Sequence, residues 1–197
     1  MSLLIKPGLE STGNDKPSLF HNIDLFEVSL CRSLNRSSNN PAVRHFFRTV
    51  SRLGDGAFWY GLILILPLLY GRSAIGVSLQ LVGSGLVCVV TYKLLKGKLV
   101  RPRPCITFPD VTAITPPLDL YSFPSGHTMN AVNFTCITLY YFPELAVVLV
   151  PFTCAIALSR VVLGVHYPTD VIAGTVLGVL ISVCSLTLYS TSIGLFV

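Results

Sequence analysis

Apolar residues along this chain of 197 residues fall into long blocks separated by short polar junctions, with one long exception. Five blocks, at about 57–70, 74–95, 127–142, 145–163 and 169–189, are candidate membrane helices, because a crossing takes about 20 mostly apolar residues. The first is short, but Trp59, Tyr60 and Tyr70 bracket it as interfacial anchors, and it can begin earlier, near Leu53. Upstream, Ile23, Phe26, Leu30 and Leu34 recur at helical spacing until a turn at 37–40 ends the run at Pro41. Next, Val43, Phe46, Phe47 and Val50 form one face and Arg44, Arg48 and Arg52 another, as in a helix lying in the lipid interface or an ordinary surface helix. Residues 1–22, with Pro7, Gly8, Gly13, Asn14 and Pro17, read as a mobile tail. The pattern therefore predicts a tail at 1–22, amphipathic interfacial helices at 23–53 and a membrane-embedded domain at 54–197. The fold class is all-α: a polytopic membrane helical bundle of five to six transmembrane helices with an amphipathic N-terminal region.

Composition agrees with this. Hydrophobic residues make up 52% and charged residues 12%, against about 25% charged in a soluble domain. Fourteen basic against nine acidic residues give +5, which favours anionic lipid surfaces or an anionic substrate as partner. Nucleic acid is not expected, since no aromatic-basic patch accompanies the charge. Of the six cysteines, four lie inside apolar runs, none forms a C-x-x-C pair, and they read as small buried hydrophobes. No signal-peptide pattern precedes residue 56, so insertion is expected to rest on the internal segments.

The exception is the proline-rich polar connection from Lys96 to Pro124. If all five blocks cross, this connection and the junction at 160–168 open on the same membrane face. Three clusters of polar residues then lie together. The first is Lys96, Lys98, Arg101 and Arg103 with Pro102 and Pro104. Such cations either anchor to headgroups or bind an oxyanion, and the interleaved prolines aim the guanidinium forks in the way phosphate recognition needs. In the second, Pro124, Ser125 and Gly126 make a tight helix start with free backbone N–H groups, either a simple N-cap or an anion site. His127 follows inside the first turn, where a membrane histidine needs a partner; as a functional group it reads as a general acid. The third holds Ser159, Arg160, His166 and Asp170. Arg160 can snorkel, and His166 with Asp170 can be a structural pair. Their separation of four positions also lets the carboxylate accept from one ring nitrogen and leave the other free for attack. Together the clusters describe phosphoryl transfer. Asp110 and Asp119 lack ligand-like spacing, so no metal site is expected, and no G-x-S-x-G turn is present for a serine hydrolase.

These residues resemble the signatures of the type 2 phosphatidic acid phosphatase family, which shares its site with vanadium haloperoxidases. The signatures read Lys96, six residues, Arg103-Pro104; then Pro124-Ser125-Gly126-His127; then Ser159-Arg160, five residues, His166, three residues, Asp170. The resemblance spans about residues 55–190. It implies a membrane bundle in which His166 attacks phosphorus to form a phosphohistidine, Asp170 orients it and His127 protonates the leaving group. Lys96, Arg103, Ser125, Gly126 and Arg160 would hold the phosphate oxygens, with no metal or other cofactor. The implied partners are membrane lipids and a lipid phosphate or diphosphate substrate, of the isoprenyl diphosphate, phosphatidate or phosphatidylglycerophosphate class. A lipid phosphotransferase would use the same residues. A non-enzymatic membrane protein or small transporter that retains the anion-binding residues is the alternative from another class. No oligomeric state is implied. Every Lys and Arg except Arg72 falls on the site's face, which by the positive-inside rule is cytoplasmic. Resemblance to bacterial relatives implies instead a cytoplasmic (inner) membrane protein whose site faces outward.

Overall fold

A computed structural model describes residues 21–116 and 119–194, and the expected tail lies almost entirely outside them. The described residues are helical, with no strand among them: α1 (His21–Ser37), α2 (Pro41–Arg52), α3 (Phe58–Tyr70), α4 (Ser73–Leu99), the short α5 (Pro104–Thr107), α6 (Gly126–Tyr141), α7 (Ala146–Val162) and α8 (Pro168–Gly194). Four segments are long and apolar enough to cross a membrane: Pro41–Tyr70, Ser73–Leu99, Pro143–Val162 and Pro168–Thr191. Large apolar side chains such as Leu64, Leu68, Leu79, Val147 and Leu188 stand exposed on their outer faces, as lipid rather than water requires. The chain is an integral membrane protein.

One expectation is extended and another amended. The helix that carries the first candidate crossing begins upstream of Leu53, at Pro41. α2 continues through a π-helical stretch, Leu53–Ala57, into α3, so the line drawn between 53 and 54 falls inside one helix of 30 residues. Gly54 and Gly56 permit the π stretch. Gly56 takes φ +150, and a Cβ on Gly54 would stand 2.9 Å from the Ile156 side chain of α7. The cysteines also divide differently: Cys31 and Cys88 are buried, whereas Cys154 and Cys184 are exposed on the outer faces of α7 and α8. A thiol is apolar enough for lipid, so composition alone could not separate the two places.

The third block became α6, which has 16 residues and packs against α8, α4 and α7 in the middle of the bundle. Protein rather than lipid surrounds it, so it can carry Thr128, Asn133, Thr135 and Thr138 in buried positions; Asn133 donates to Ser84 of α4 at 2.9 Å. The seam with α8 is close because Gly174 and Gly178 lack a Cβ. One added there would come within 2.6 Å of the Ser125 and Met129 carbonyl oxygens respectively. This approach brings two of the clusters together, and Ser125 N–H donates to the Asp170 carbonyl at 3.0 Å.

α7 ends in a Schellman turn. Gly164, at φ +73, donates to Val161 O, and Val165 to Arg160 O at 3.2 Å. The turn doubles the chain back so that His166 lands beside Arg160, its own N–H on Arg160 O at 3.1 Å. A Cβ at Gly164 would strike Thr112 O at 2.5 Å, so the loop after α5 lies directly on this turn. Asn35 of α1 clips them together, donating to Thr112 O and Val162 O and accepting from Thr112 N, all at 2.9–3.0 Å.

Candidate active site

The end of α4, the loop after it, the start of α6 and the α7–α8 turn meet around a cavity of about 550 Å³. Lys96, Arg103, Gly126, His127, Arg160 and His166 all line it. The remaining two expected residues sit behind the wall. The Ser125 hydroxyl is fully buried and caps α6, 2.9 Å from Thr128 Oγ1; Asp170 is likewise fully buried, beneath His166.

The cations are held in three different ways. Arg103 donates from Nε to Asp119 O at 2.7 Å, from one terminal nitrogen to Asp119 Oδ1 at 2.7 Å, and from the other to Val165 O at 2.8 Å. That last nitrogen is 3.4 Å from His166 Nε2. Lys96 places its ammonium on the same Asp119 carboxylate, 2.7 Å from Oδ2 and 3.0 Å from Oδ1. Burial pushes the Asp119 carboxyl up, but the hydrogen bonds and charges of Lys96 and Arg103 outweigh it and hold the group below its ordinary value. Arg160 donates to Ser51 Oγ of α2 at 2.6 Å, while its Nε is buried with no hydrogen-bond partner among the described residues. An unused buried donor at a cavity wall costs free energy until a ligand accepts from it.

His166 differs from the expectation in one detail. Its Nδ1 stands 3.5 Å from Asp170 Oδ2, longer than a hydrogen bond of about 2.7–3.2 Å, and has no hydrogen-bond partner among the described residues. Asp170 is occupied elsewhere: Oδ2 accepts from Tyr167 N at 2.8 Å and Oδ1 from Arg101 at 2.5 Å. Arg101, fully buried, stacks 3.9 Å over the Tyr167 ring and donates its other terminal nitrogen to Glu27 of α1 at 2.8 Å. Glu27 in turn accepts from Thr169 N at 2.6 Å and Thr169 Oγ1 at 2.7 Å, capping α8. Desolvation, followed by the charges of Arg160, Arg103 and Lys96, holds the His166 imidazole well below its ordinary value. Both effects favour the neutral ring, whose Nε2 lies on the Arg103 side at the cavity wall.

His127 meets a residue that the sequence reading did not single out. Its Nε2 contacts the carboxylate of Asp55, which the π-helical stretch presents to the cavity. Asp55, Ser51, Glu27 and Asp119 all belong to the site's surroundings, and one signal was available for Asp55: a carboxylate between two glycines inside an apolar helix needs a reason to be there. Ser51 and Glu27 carry no local signal, since a Ser or Glu on an amphipathic helix is unremarkable by itself.

Below the charged end the cavity turns apolar, with Trp59 of α3, Val82, Leu86 and Val89 of α4 and Phe134 of α6. Val82, Leu86 and Tyr60 line it and are also exposed on the outer surface, so it reaches the lipid-facing side between α3 and α4. Among the described residues no three His, Cys, Asp or Glu side chains converge as a metal cluster.

Comparison with known proteins points the same way. Residues 77–193 match the family model described as the PAP2 superfamily. The chain is 30% identical over 144 residues to an undecaprenyl-diphosphatase of Sulfolobus acidocaldarius, the match covering 72% of this chain and 68% of that one. Among solved structures, Aquifex aeolicus LpxE is similar with a TM-score of 0.71 at 26% identity, over 82% of this chain and 95% of that one. A PAP2-type phosphatidylglycerolphosphate phosphatase from Bacillus subtilis shares the fold, with a TM-score of 0.66 at 22% identity over 86% and 94%.

Proposed function

The chain belongs to the PAP2 superfamily, and we propose from that premise that it releases phosphate from a membrane lipid phosphate or diphosphate through a phosphohistidine on His166. The observation that carries this reading is the cavity itself. Three cations and two imidazoles line one end, and the other end is apolar and reaches the lipid-facing surface. A phosphate headgroup with a long hydrocarbon tail matches both halves; a small water-soluble phosphate matches only the first.

The geometry supports the following steps. Lys96, Arg103 and Arg160 hold the non-bridging phosphate oxygens, with Gly126 leaving room for close approach. A Cβ there would press to 3.0 Å against the Tyr92 ring. Neutral His166 attacks through Nε2; the N–P bond forms as the bond from phosphorus to the lipid oxygen breaks, and His127 gives that oxygen its proton. Water then attacks the phosphohistidine, its proton passes to His127, and the N–P bond breaks to release phosphate. Spread over the transition state, the charge of the three cations stabilises the trigonal-bipyramidal phosphorus. Asp170 lies close enough to stabilise the imidazolium character that His166 gains, and Arg101 and Tyr167 N hold it there. The Ser125 hydroxyl, turned to Thr128, supports the helix start rather than the phosphate directly.

The Sulfolobus relative is named for undecaprenyl diphosphate, which makes an isoprenyl diphosphate the first substrate to try. A cytoplasmic-membrane location with the site on the outer face is part of the same proposal; labelling with an impermeant thiol reagent at a cysteine introduced in the 109–116 loop reads the side. The defining experiment is phosphate release by purified protein in detergent with excess EDTA, from isoprenyl diphosphates, phosphatidate and phosphatidylglycerophosphate, with His166→Ala in parallel. Release by the wild type and none by the variant is expected. No release from any lipid, or loss of activity on EDTA alone, overturns the reading.

A further inference from the structure

Outside the region matched by the family model, one polar edge of the first long helix reaches the cavity. Ser51 and Asp55 are four positions apart, so they share a helix face. Ser51 accepts from Arg160 at 2.6 Å, and Asp55 contacts His127 Nε2. Keeping a carboxylate inside a membrane-crossing helix is costly. The chain also places it with care: Gly54 gives up its side chain to lie against Ile156, Gly56 leaves helical geometry at φ +150, and the resulting π stretch presents Asp55 to the cavity. Such single-turn bulges are frequent at functional sites.

The surroundings of His127 show what the carboxylate is for. Lys96 of α4, Arg103 of the following loop, Arg160 of α7 and the His166 imidazole share the cavity with it. Of the two carboxylates on the wall, Asp119 is engaged by Lys96 and Arg103, which leaves Asp55 to face His127. Cations that hold phosphate oppose a second positive charge nearby, yet a general acid must carry its proton when the substrate arrives.

We propose that Asp55 is the positioning residue for His127, fixing its ring in the cavity and favouring the imidazolium form that protonates the leaving lipid oxygen. The inference rests on the phosphatase reading above. Asp55 itself stays ionised throughout. His127 loses its proton to the lipid oxygen as the P–O bond breaks and recovers one from the water that cleaves the phosphohistidine, so the proton count closes over a turnover. Asp55 thus acts through His127 and is not itself a catalytic group.

The test compares full-length wild type, Asp55→Asn, Asp55→Glu and His166→Ala in the same detergent, with dioleoyl phosphatidate and with p-nitrophenyl phosphate, whose phenolate departs without a proton. For Asp55→Asn the expected result on phosphatidate is a fall in kcat on the order of 10²-fold, the scale of general-acid catalysis, with KM little changed. Its alkaline limb moves to lower pH, because with one anion fewer beside three cations His127 gives up its proton more readily. On p-nitrophenyl phosphate the loss is much smaller, and Asp55→Glu recovers part of the phosphatidate rate. Wild-type kcat in Asp55→Asn beside an inactive His166→Ala overturns the inference alone, as does an equal loss on both substrates with an unmoved limb. Release that persists in His166→Ala overturns the phosphatase reading, and this inference with it.

Discussion

His166 with Asp170 and His127 with Asp55 line up as two pairs of the same residue types around one cavity, but they are built in opposite ways. In the first, side-chain exposure is 2% and 0%, and the two groups stand 3.5 Å apart with no hydrogen bond between them. Asp170 is fixed by Arg101 and Tyr167 N, and Arg101 by Glu27. In the second, exposure is 14% and 49%, the groups are in direct contact, and among the described residues no second hydrogen-bond partner holds the Asp55 carboxylate. The buried pair is therefore a matter of architecture, in which loss of one member exposes another to an unpaired state. The open pair is a matter of local chemistry, which solvent can partly replace.

The contrast can be broken by mutation. His166→Ala should have the largest effect, a loss of lipid phosphate release on the order of 10⁴-fold or more, since a nucleophile has no substitute; a tenfold loss would mean that another group attacks phosphorus. Arg101→Met comes next. It leaves the Asp170 and Glu27 carboxylates buried without their shared cation, which should cost about 3–5 kcal/mol, seen as a lower thermal midpoint in detergent together with lost activity. A stable, active variant would show that Arg101 does not organise the buried pair. Asp55→Asn should leave the thermal midpoint almost unmoved, within about 1 kcal/mol for so exposed a pair, while changing turnover as described above. A large loss of stability would erase the distinction between the two pairs.

Two smaller effects sharpen it. Asp119 occupies both Lys96 and Arg103, so Asp119→Asn should release charge toward an anion and tighten inhibition by vanadate by a few-fold; weaker inhibition would mean that Asp119 places the cations rather than competing for them. The last concerns pH. His166 is held well below its ordinary value by burial and by the neighbouring cations. In the window between that depressed value and the ordinary one, the unfolded chain binds a proton that the folded chain does not, so stability falls as pH falls. The wild type should therefore lose more of its thermal midpoint from neutral pH to mild acid than His166→Gln does. Equal losses would show that the ring is not held neutral.

Much of the site was legible in the chain because its members sit in short local patterns. Lys96 and Arg103, Gly126 and His127, and Arg160 and His166 each occupy one junction, and all six line the cavity. The role of Ser125 was less legible, since a serine before a glycine reads equally as a phosphate ligand or a cap, and only the fold places its hydroxyl 2.9 Å from Thr128 Oγ1. Asp170 was placed beside His166 by spacing, but spacing could not reveal that Arg101 and Tyr167 N take up its oxygens first. Asp55 escaped notice because it lies just ahead of an apolar block, where the pattern suggested an end and the glycines instead allow the helix to continue.

Hydropathy and local spacing by themselves determined that this chain is helical, embedded in lipid and provided with cations and histidines suited to a phosphate, because each of these depends on neighbours within a turn or two of helix. Which carboxylate serves which of those groups was decided only by tertiary structure. Asp55 lies 72 positions from His127, and Glu27 lies 74 from Arg101. No local periodicity links residues so far apart. Their partnership exists because glycine seams and tight turns let the helices approach closely enough for a buried charge to find its counter-charge.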